Sequence, residues 1–323
     1  MVYLPAAAFE IGAMDYSPSE YTEPYRAKLT YGFYIDALEV TQSQFREATG
    51  TSPAWSSACG DDCPVESVNW FEAATYANRR SQAAGLERCY RLVDCTGDFG
   101  TGCPELVPGG EHHQCMGSFR CATAEFVGLQ CEGYRLPTEV EWEYAARGGT
   151  TDASYAGAII PAGGPGSEES LARLATIART AENSAVTFDN AWPCSLIDGM
   201  TNGVSCGPGL VGSLQPNAYG LHDMLGNVGE WTHDTPEIDP AQMSGWRCFG
   251  RSTIRSTGES SCRRSRVVDR THYEPSGDLR MLRGGAWFHS APGVRVPERS
   301  WLRTEARFVD VGFRLVRAAV PPG

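Results

Sequence analysis

Two adjacent glycines, Gly284-Gly285, follow the apolar run Met281-Leu282 and precede Ala286-Trp287-Phe288-His289. Glycine weakens a strand interior, so a pair of them in a strand pattern marks a bulge or a close approach between backbones. The chain turns apolar again only at Val311-Gly312-Phe313-Arg314-Leu315-Val316. The glycine pair itself is therefore not ordinary sheet, and the residues just after it become the ones to examine for function. With 36 Gly and 20 Pro among 323 residues, a loop-rich fold is expected, while 41% hydrophobic content suffices for a core.

Twelve cysteines tighten the picture. Most are close neighbours: Cys59/Cys63, Cys95/Cys103, Cys115/Cys121, Cys194/Cys206 and Cys248/Cys262, with Cys89 and Cys131 bracketing the middle segment. An even count at short spacings reads as local disulfides formed in an oxidising compartment, although spacing alone leaves the pairing open. A zinc site is disfavoured because no CxxC pair recurs, and His112-His113-x-Cys115 is a single local cluster.

The formal charge of −12 excludes nucleic acid and anionic membrane surfaces as partners, since both need clustered positive charge. No apolar run reaches the roughly 18 residues of a membrane span, and no signal peptide is visible at Met1-Val2-Tyr3-Leu4-Pro5. Lys28 is the one lysine. The arginine excess reads as genomic codon bias before it reads as guanidinium chemistry.

Strand patterns occupy Val2 to Gly12 and Leu29 to Val40. Three capping boxes predict helix starts: Thr41 with Gln44, Asn69 with Glu72 ahead of a helix from Trp70 to Arg80, and Thr138 with Glu141. The third helix ends at Gly148. Its carboxylates Glu139, Glu141 and Glu143 are explained by capping and surface exposure. Residues 85–131 read as a Cys-rich insertion, 150–180 as a surface loop and 232–278 as a second excursion. No linker separates two units, so residues 1–323 are taken as one domain.

Three stretches together resemble the formylglycine-generating enzyme (sulfatase-modifying factor) family. They are Tyr134-Arg135-Leu136-Pro137-Thr138-Glu139 through Gly148; Asn217-Ala218-Tyr219-Gly220-Leu221 through Gly226-Asn227-Val228-Gly229-Glu230-Trp231; and Leu282-Arg283-Gly284-Gly285-Ala286-Trp287 with Val311-Gly312-Phe313-Arg314. The resemblance implies an α+β, irregular C-type-lectin-like fold. It also implies a copper-binding cysteine pair on the arm that oxidises a substrate cysteine. Counted from the second glycine, the positions of that pair fall on His289 and Val294, and the family's serine falls on Ala286. The arm from Arg283 to Gly323 holds no cysteine. No catalytic residue is therefore assigned and copper is not expected, because His289 beside Val294 offers one ligand where two are needed.

By the same resemblance, structural calcium is expected on Asp223 and Glu230 through side chains and on Gly226 and Val228 through carbonyls, oxygens that suit a hard cation. Capping and arginine pairing are the bland alternative. The family has an aromatic where Gly229 stands. A second calcium site would begin at Asn183 and the Ser184 carbonyl and continue near Asn202 to Ser205, with Asp198 available. On the arm, Trp287, Phe288, His289, Arg295, Arg299 and Trp301 are candidate binding residues, since aromatics and arginine dominate hot spots. Arginines that satisfy loop carbonyls explain the same composition. Pro292, Gly293 and Pro297 exclude a helix there.

Three functions follow. The first is a secreted, periplasmic or cell-surface binding module for a protein, peptide or glycan, without catalysis. The second is a copper-dependent formylglycine-generating oxidase, disfavoured by the replaced positions. The third is a lectin-fold variable protein diversified by a retroelement. A hydrolase has no support, since GxSxG and HExxH are both missing.

Overall fold

The computed structural model describes residues 1–12, 25–103, 114–115, 118–160, 163–164, 166–194, 204–236 and 277–319. Helices begin at the three capping boxes. Thr41 opens α1 (Gln42–Thr49), Asn69 opens α2 (Trp70–Ala83) and Thr138 opens α3 (Glu139–Arg147), each with both reciprocal bonds formed. Gly148 ends α3 in the left-handed region at φ 56°, where its missing Cβ avoids strain.

The 150–180 segment is not the surface loop that its composition suggests. It carries a fourth helix, α4 (Ser167–Leu174), and buries Ile159, Leu174, Ile177 and Ala178. Glycine, proline and serine around the helix dilute the three-residue spacing of Leu171, Leu174 and Ile177, so periodicity alone misses it.

The strands are short and fall into six groups. One four-stranded sheet runs β1 (Val2–Leu4), β4 (Phe33–Ile35), β17 (Val316–Ala318), β8 (Tyr134–Arg135). Pro5 separates β1 from β2 (Ala7–Ile11), which pairs instead with β3 (Tyr25–Leu29). The second four-stranded sheet runs β14 (Ser300–Arg303), β13 (Leu279–Arg283), β12 (Gly229–Trp231), β16 (Val311–Gly312), with the β12–β16 pair parallel. A three-stranded sheet orders β10 (Trp192–Pro193), β11 (Ser205–Cys206) and β9 (Ala185–Val186). β5 (Tyr90–Val93) pairs with β7 (Thr123–Phe126), and β15 (Arg307–Phe308) with β6 (Gln114–Cys115).

Disulfides join Cys59–Cys63, Cys194–Cys206, Cys89–Cys131 and Cys95–Cys121. The last corrects the nearest-neighbour expectation of Cys95 with Cys103 and Cys115 with Cys121. Tyr90 faces Phe126, Val93 faces Thr123 and Thr96 faces Arg120. The antiparallel register therefore sets Cys95 opposite Cys121, with a Cα separation of 3.9 Å. Cys103 is also disulfide-bonded; Cys248 and Cys262 lie outside the described residues, as do His112, His113 and most of the 232–278 excursion.

A second correction concerns charge. Glu141 and Glu143 are fully buried rather than on the surface. Glu141 pairs with Arg135, Glu143 with Arg147 and Arg283, Glu72 with Arg307, and Glu230 with Arg314, all inside the fold. Codon bias does not account for these arginines. Each presents a planar fork that a lysine cannot reproduce at a buried bidentate site. With so little regular structure to satisfy backbone groups, they also tie loops together: Arg314 donates to the carbonyls of Asp36, Ala37 and His222 as well as to Glu230.

Candidate functional site

The sheet containing β13 has two faces that alternation keeps distinct. Glu230 and Arg283 face each other across the β12–β13 pair and point towards α3, where Trp142 and Glu143 receive them. Leu282 and its cross-strand neighbour Ser300 lie on the other face. There the chain forms a small pocket, partly open to solvent, walled by Leu282, Leu302, Phe308 and Val311.

The glycines make room for it. Gly284 and Gly285 end β13 with φ of 91° and 66°. A Cβ on Gly285 would come within 2.5 Å of the Gly293 carbonyl, so the close backbone approach expected from sequence is present. Gly229 is different: a Cβ there would meet nothing nearer than 3.7 Å. It lines the pocket, and its lack of a side chain leaves the space open.

Four polar residues line this pocket: Arg283, His289, Ser300 and Asp310. His289 Nδ1 accepts from the Ala286 N–H at 3.0 Å, while the His289 backbone N–H donates to the Ala286 carbonyl at 2.9 Å. The ring is therefore locked against the arm, and when neutral carries its proton on Nε2. Asp310 is 2% exposed, and its Oδ1 is buried without a hydrogen-bond partner. No other buried carboxylate among the described residues lacks both a hydrogen bond and an ion pair. Glu39 and Glu66, for example, accept backbone N–H groups from Val228 and Ser56. The sequence reading missed Asp310. The available signal was an acid inside the apolar run Phe308-Val309-Asp310-Val311.

Of the arm residues expected to bind, His289 alone reaches the pocket. Trp287 is 1% exposed and packs with Trp192, Val309 and the Cys194–Cys206 bridge, with Phe288 against its ring. Arg295 donates to the Pro292 carbonyl and pairs with Glu298, and Arg299 pairs with Glu139. Arg295 thus meets a loop carbonyl, whereas Arg299 meets a carboxylate. Trp301 stands opposite Met281 on β14. Ala286 and Val294 are fully buried. The donor set on the arm does not fit copper: it offers no thiolate, and His289 Nδ1 is already engaged.

The loop expected to hold calcium is a tight turn, with Asp223, Gly226 and Asn227 all at positive φ. Asp223 Oδ2 accepts one N–H, from Gly212 at 2.6 Å. Glu230 is saturated: Oε1 accepts from Arg314 Nε and Nη2, and Oε2 from Arg314 Nε and Trp142 Nε1. Glu39 lies close enough to Asp223 and Glu230 for mutual repulsion. Burial first, then those two charges, pushes the Glu39 carboxyl well up, and burial also raises Asp223. Three buried carboxylates thus share one guanidinium, an excess of negative charge that fits a hard cation. Asp223 is the carboxylate that fits as a ligand, whereas Glu230 fits only if one of its donors withdraws.

Among the described residues no group of three or more His, Cys, Asp or Glu side chains is arranged to hold a metal. Carbonyls would therefore have to complete the shell. At the second expected site, Asn183 Oδ1 accepts from Thr180 and the Ser184 carbonyl from Gly207. Of its other half, Asp198 and Asn202 lie outside the described residues, and Ser205 lies in β11.

Residues 1–319 match the family described as "Sulfatase-modifying factor enzyme 1-like domain". The chain is 28% identical to "Chaperone protein LppX" of Paenibacillus barcinonensis, over 88% of this chain and 89% of that protein. It is 26% identical to "Inactive C-alpha-formylglycine-generating enzyme 2" of Mus musculus, over 100% of this chain and 87% of that protein. Among solved structures it is similar to "Treponema denticola variable protein 1", with a TM-score of 0.63 and 27% identity, covering 99% of this chain and 95% of that one.

Proposed function

From the premise that this chain belongs to the sulfatase-modifying factor family, we propose that it is a non-catalytic binding module whose ligand seats at the Gly229–Ala286–His289–Asp310 pocket. The observation that carries this reading is the intact pocket frame with Ala286, His289 and Val294 at the reactive positions. Those side chains supply neither thiolate nor hydroxyl, so the family's oxidation of a substrate cysteine has no nucleophile or soft metal ligand here. The likeness to an inactive paralogue supports the same conclusion. The ligand is a protein, a peptide or a glycan presented to a surface of the C-type-lectin type. A chaperone among the relatives favours a protein.

The disulfides favour an oxidising setting, whether secreted, periplasmic or at the cell surface. Among the described residues no helix is long and apolar enough to cross a membrane. Calcium, held by Asp223 with the Gly226 and Val228 carbonyls, would neutralise the buried carboxylates and stiffen the turn that leads into β12.

The test has two arms. Mass spectrometry of a CxPxR peptide incubated with the protein, copper and dioxygen should show no aldehyde. Peptide and glycan arrays should show ligands retained by the native chain and lost in Gly229→Leu, which fills the pocket without backbone strain. Aldehyde formation, or ligands indifferent to Gly229→Leu, would refute the reading.

A second reading rests on the likeness to the Treponema variable protein, which covers nearly the whole of both chains. The arm would then be diversified by a retroelement. Sequencing the gene from several isolates decides this: substitutions concentrated at adenine-bearing arm codons support it, and an invariant arm removes it.

A further inference from the structure

Asp310 stands apart from the other buried acids. Glu72, Glu141, Glu143 and Glu230 each meet an arginine, and Glu39, Glu66 and Asp223 each accept a backbone N–H. Asp310 meets neither, although it is 2% exposed and its Oδ1 is fully enclosed. A buried carboxylate without partners is costly, so a fold that keeps one leaves an interaction unmade. The nearby Glu66 adds a second acidic group. The cavity beside Asp310 has apolar walls in Leu282, Leu302, Phe308 and Val311, carries His289 and Ser300 at its border, and is kept open by Gly229. Arg283 also borders the pocket, but its guanidinium faces α3 and is held there by Glu143 and the Val296 and Glu298 carbonyls.

Apolar walls beside one carboxylate that lacks a partner complement an apolar stem that ends in a cation. We infer that the pocket takes a protonated primary amine on an alkyl stem, as a lysine side chain presents it, with the ammonium on Asp310 and the methylenes against Leu282, Leu302 and Phe308. A charge-assisted bond forms only when the ammonium is seated, and the walls exclude the water that would weaken it. A neutral ligand of the same shape gains the apolar contact alone. The inference rests on the pocket being the binding site, as proposed above.

The test uses the whole chain and three probes: n-butylammonium, its neutral counterpart 1-butanol, and Nα-acetyl-lysine N-methylamide. Affinities are measured by ligand-observed NMR at pH 7. The native chain should bind n-butylammonium at least about 10-fold more tightly than 1-butanol, a difference of about 1.4 kcal/mol. Asp310→Asn should abolish that preference while melting no lower than the native chain, because it removes an unpaired buried charge. Gly229→Leu should remove binding of both. Tighter binding of the acetyl-lysine amide than of butylammonium identifies a peptide lysine as the source, and the reverse identifies a free amine. Equal affinity for amine and alcohol, or a preference that survives Asp310→Asn, overturns the inference. If array ligands still depend on Gly229 in that case, the binding reading stands and only the cationic assignment falls.

Discussion

Replacing Glu143 by glutamine should be among the most damaging conservative changes in this chain. Glu143 Oε1 accepts from the Gly12 N–H at 2.7 Å and from Arg147 Nη2 at 2.6 Å and Nε at 3.1 Å, and Oε2 accepts from Arg283 Nη2. Burial alone would raise its carboxyl, but the charges of Arg283, Arg147 and Arg299 outweigh that and hold it below the usual range. Glutamine keeps one acceptor and turns an NH2 donor towards a guanidinium. It also leaves two buried arginines without their shared counter-charge.

Breaking a buried pair from one side costs about 3–5 kcal/mol. At about 2.1 cal/mol/K of unfolding entropy per residue, that corresponds to a fall of roughly 4–7 °C in Tm for a chain of 323 residues. Glu169→Gln, which breaks the exposed pair with Arg173, is the control and should cost no more than about 0.5 kcal/mol. Thermal melts by circular dichroism at pH 7 compare the two. A pH series adds a sign check. Because the folded carboxyl lies below its ordinary 4.5, its contribution is present above that pH and is lost as pH falls through the folded value. The gap between native and Glu143→Gln chains should therefore shrink towards pH 3. A Glu143→Gln melt within 2 °C of the Glu169→Gln melt would refute the view that buried guanidinium pairs hold α3 to the arm.

Glu66 behaves oppositely, since burial raises its carboxyl to about 7 despite bonds from Ser67 and the Ser56 N–H. The folded state binds more protons than the unfolded one between pH 4.5 and about 7, so stability should fall as pH rises through that window. Denaturant titrations should show the slope flattened in Glu66→Gln; an unchanged slope contradicts the assignment. Gly285→Ala sets a side chain at φ 66° and a Cβ 2.5 Å from the Gly293 carbonyl. It should cost about 2 kcal/mol or more and raise hydrogen exchange along the arm, whereas a silent change would mean that the approach is not tight. If calcium balances Glu39, Asp223 and Glu230, chelation should lower Tm and Asp223→Asn should remove the response to chelator. An indifferent melting curve counts against calcium.

The helix starts were legible because capping is local: three residues of sequence decide whether the reciprocal bonds at Thr41, Asn69 and Thr138 can form. The family motifs were legible for a related reason, since Gly284-Gly285 and Gly312-Phe313-Arg314 fill positions where few residues fit. Loss of the oxidase chemistry could be counted residue by residue along the arm. Helix α4 was not legible, because three apolar positions among glycines and serines signal a helix only once a core exists to bury them.

What the chain fixes by itself is whatever depends on near neighbours: the helix caps and the identity of Ala286, His289 and Val294. Whatever depends on a partner distant in sequence was decided by tertiary structure. Cys95 meets Cys121 because a hairpin register places them opposite, not because they are near in the chain. Glu143 proves to be a buried hub because Arg283, 140 residues away, folds onto it. Asp310 acquires meaning only as the acid that no arginine reaches. Its partner is missing from the fold, and no spacing along a sequence records that.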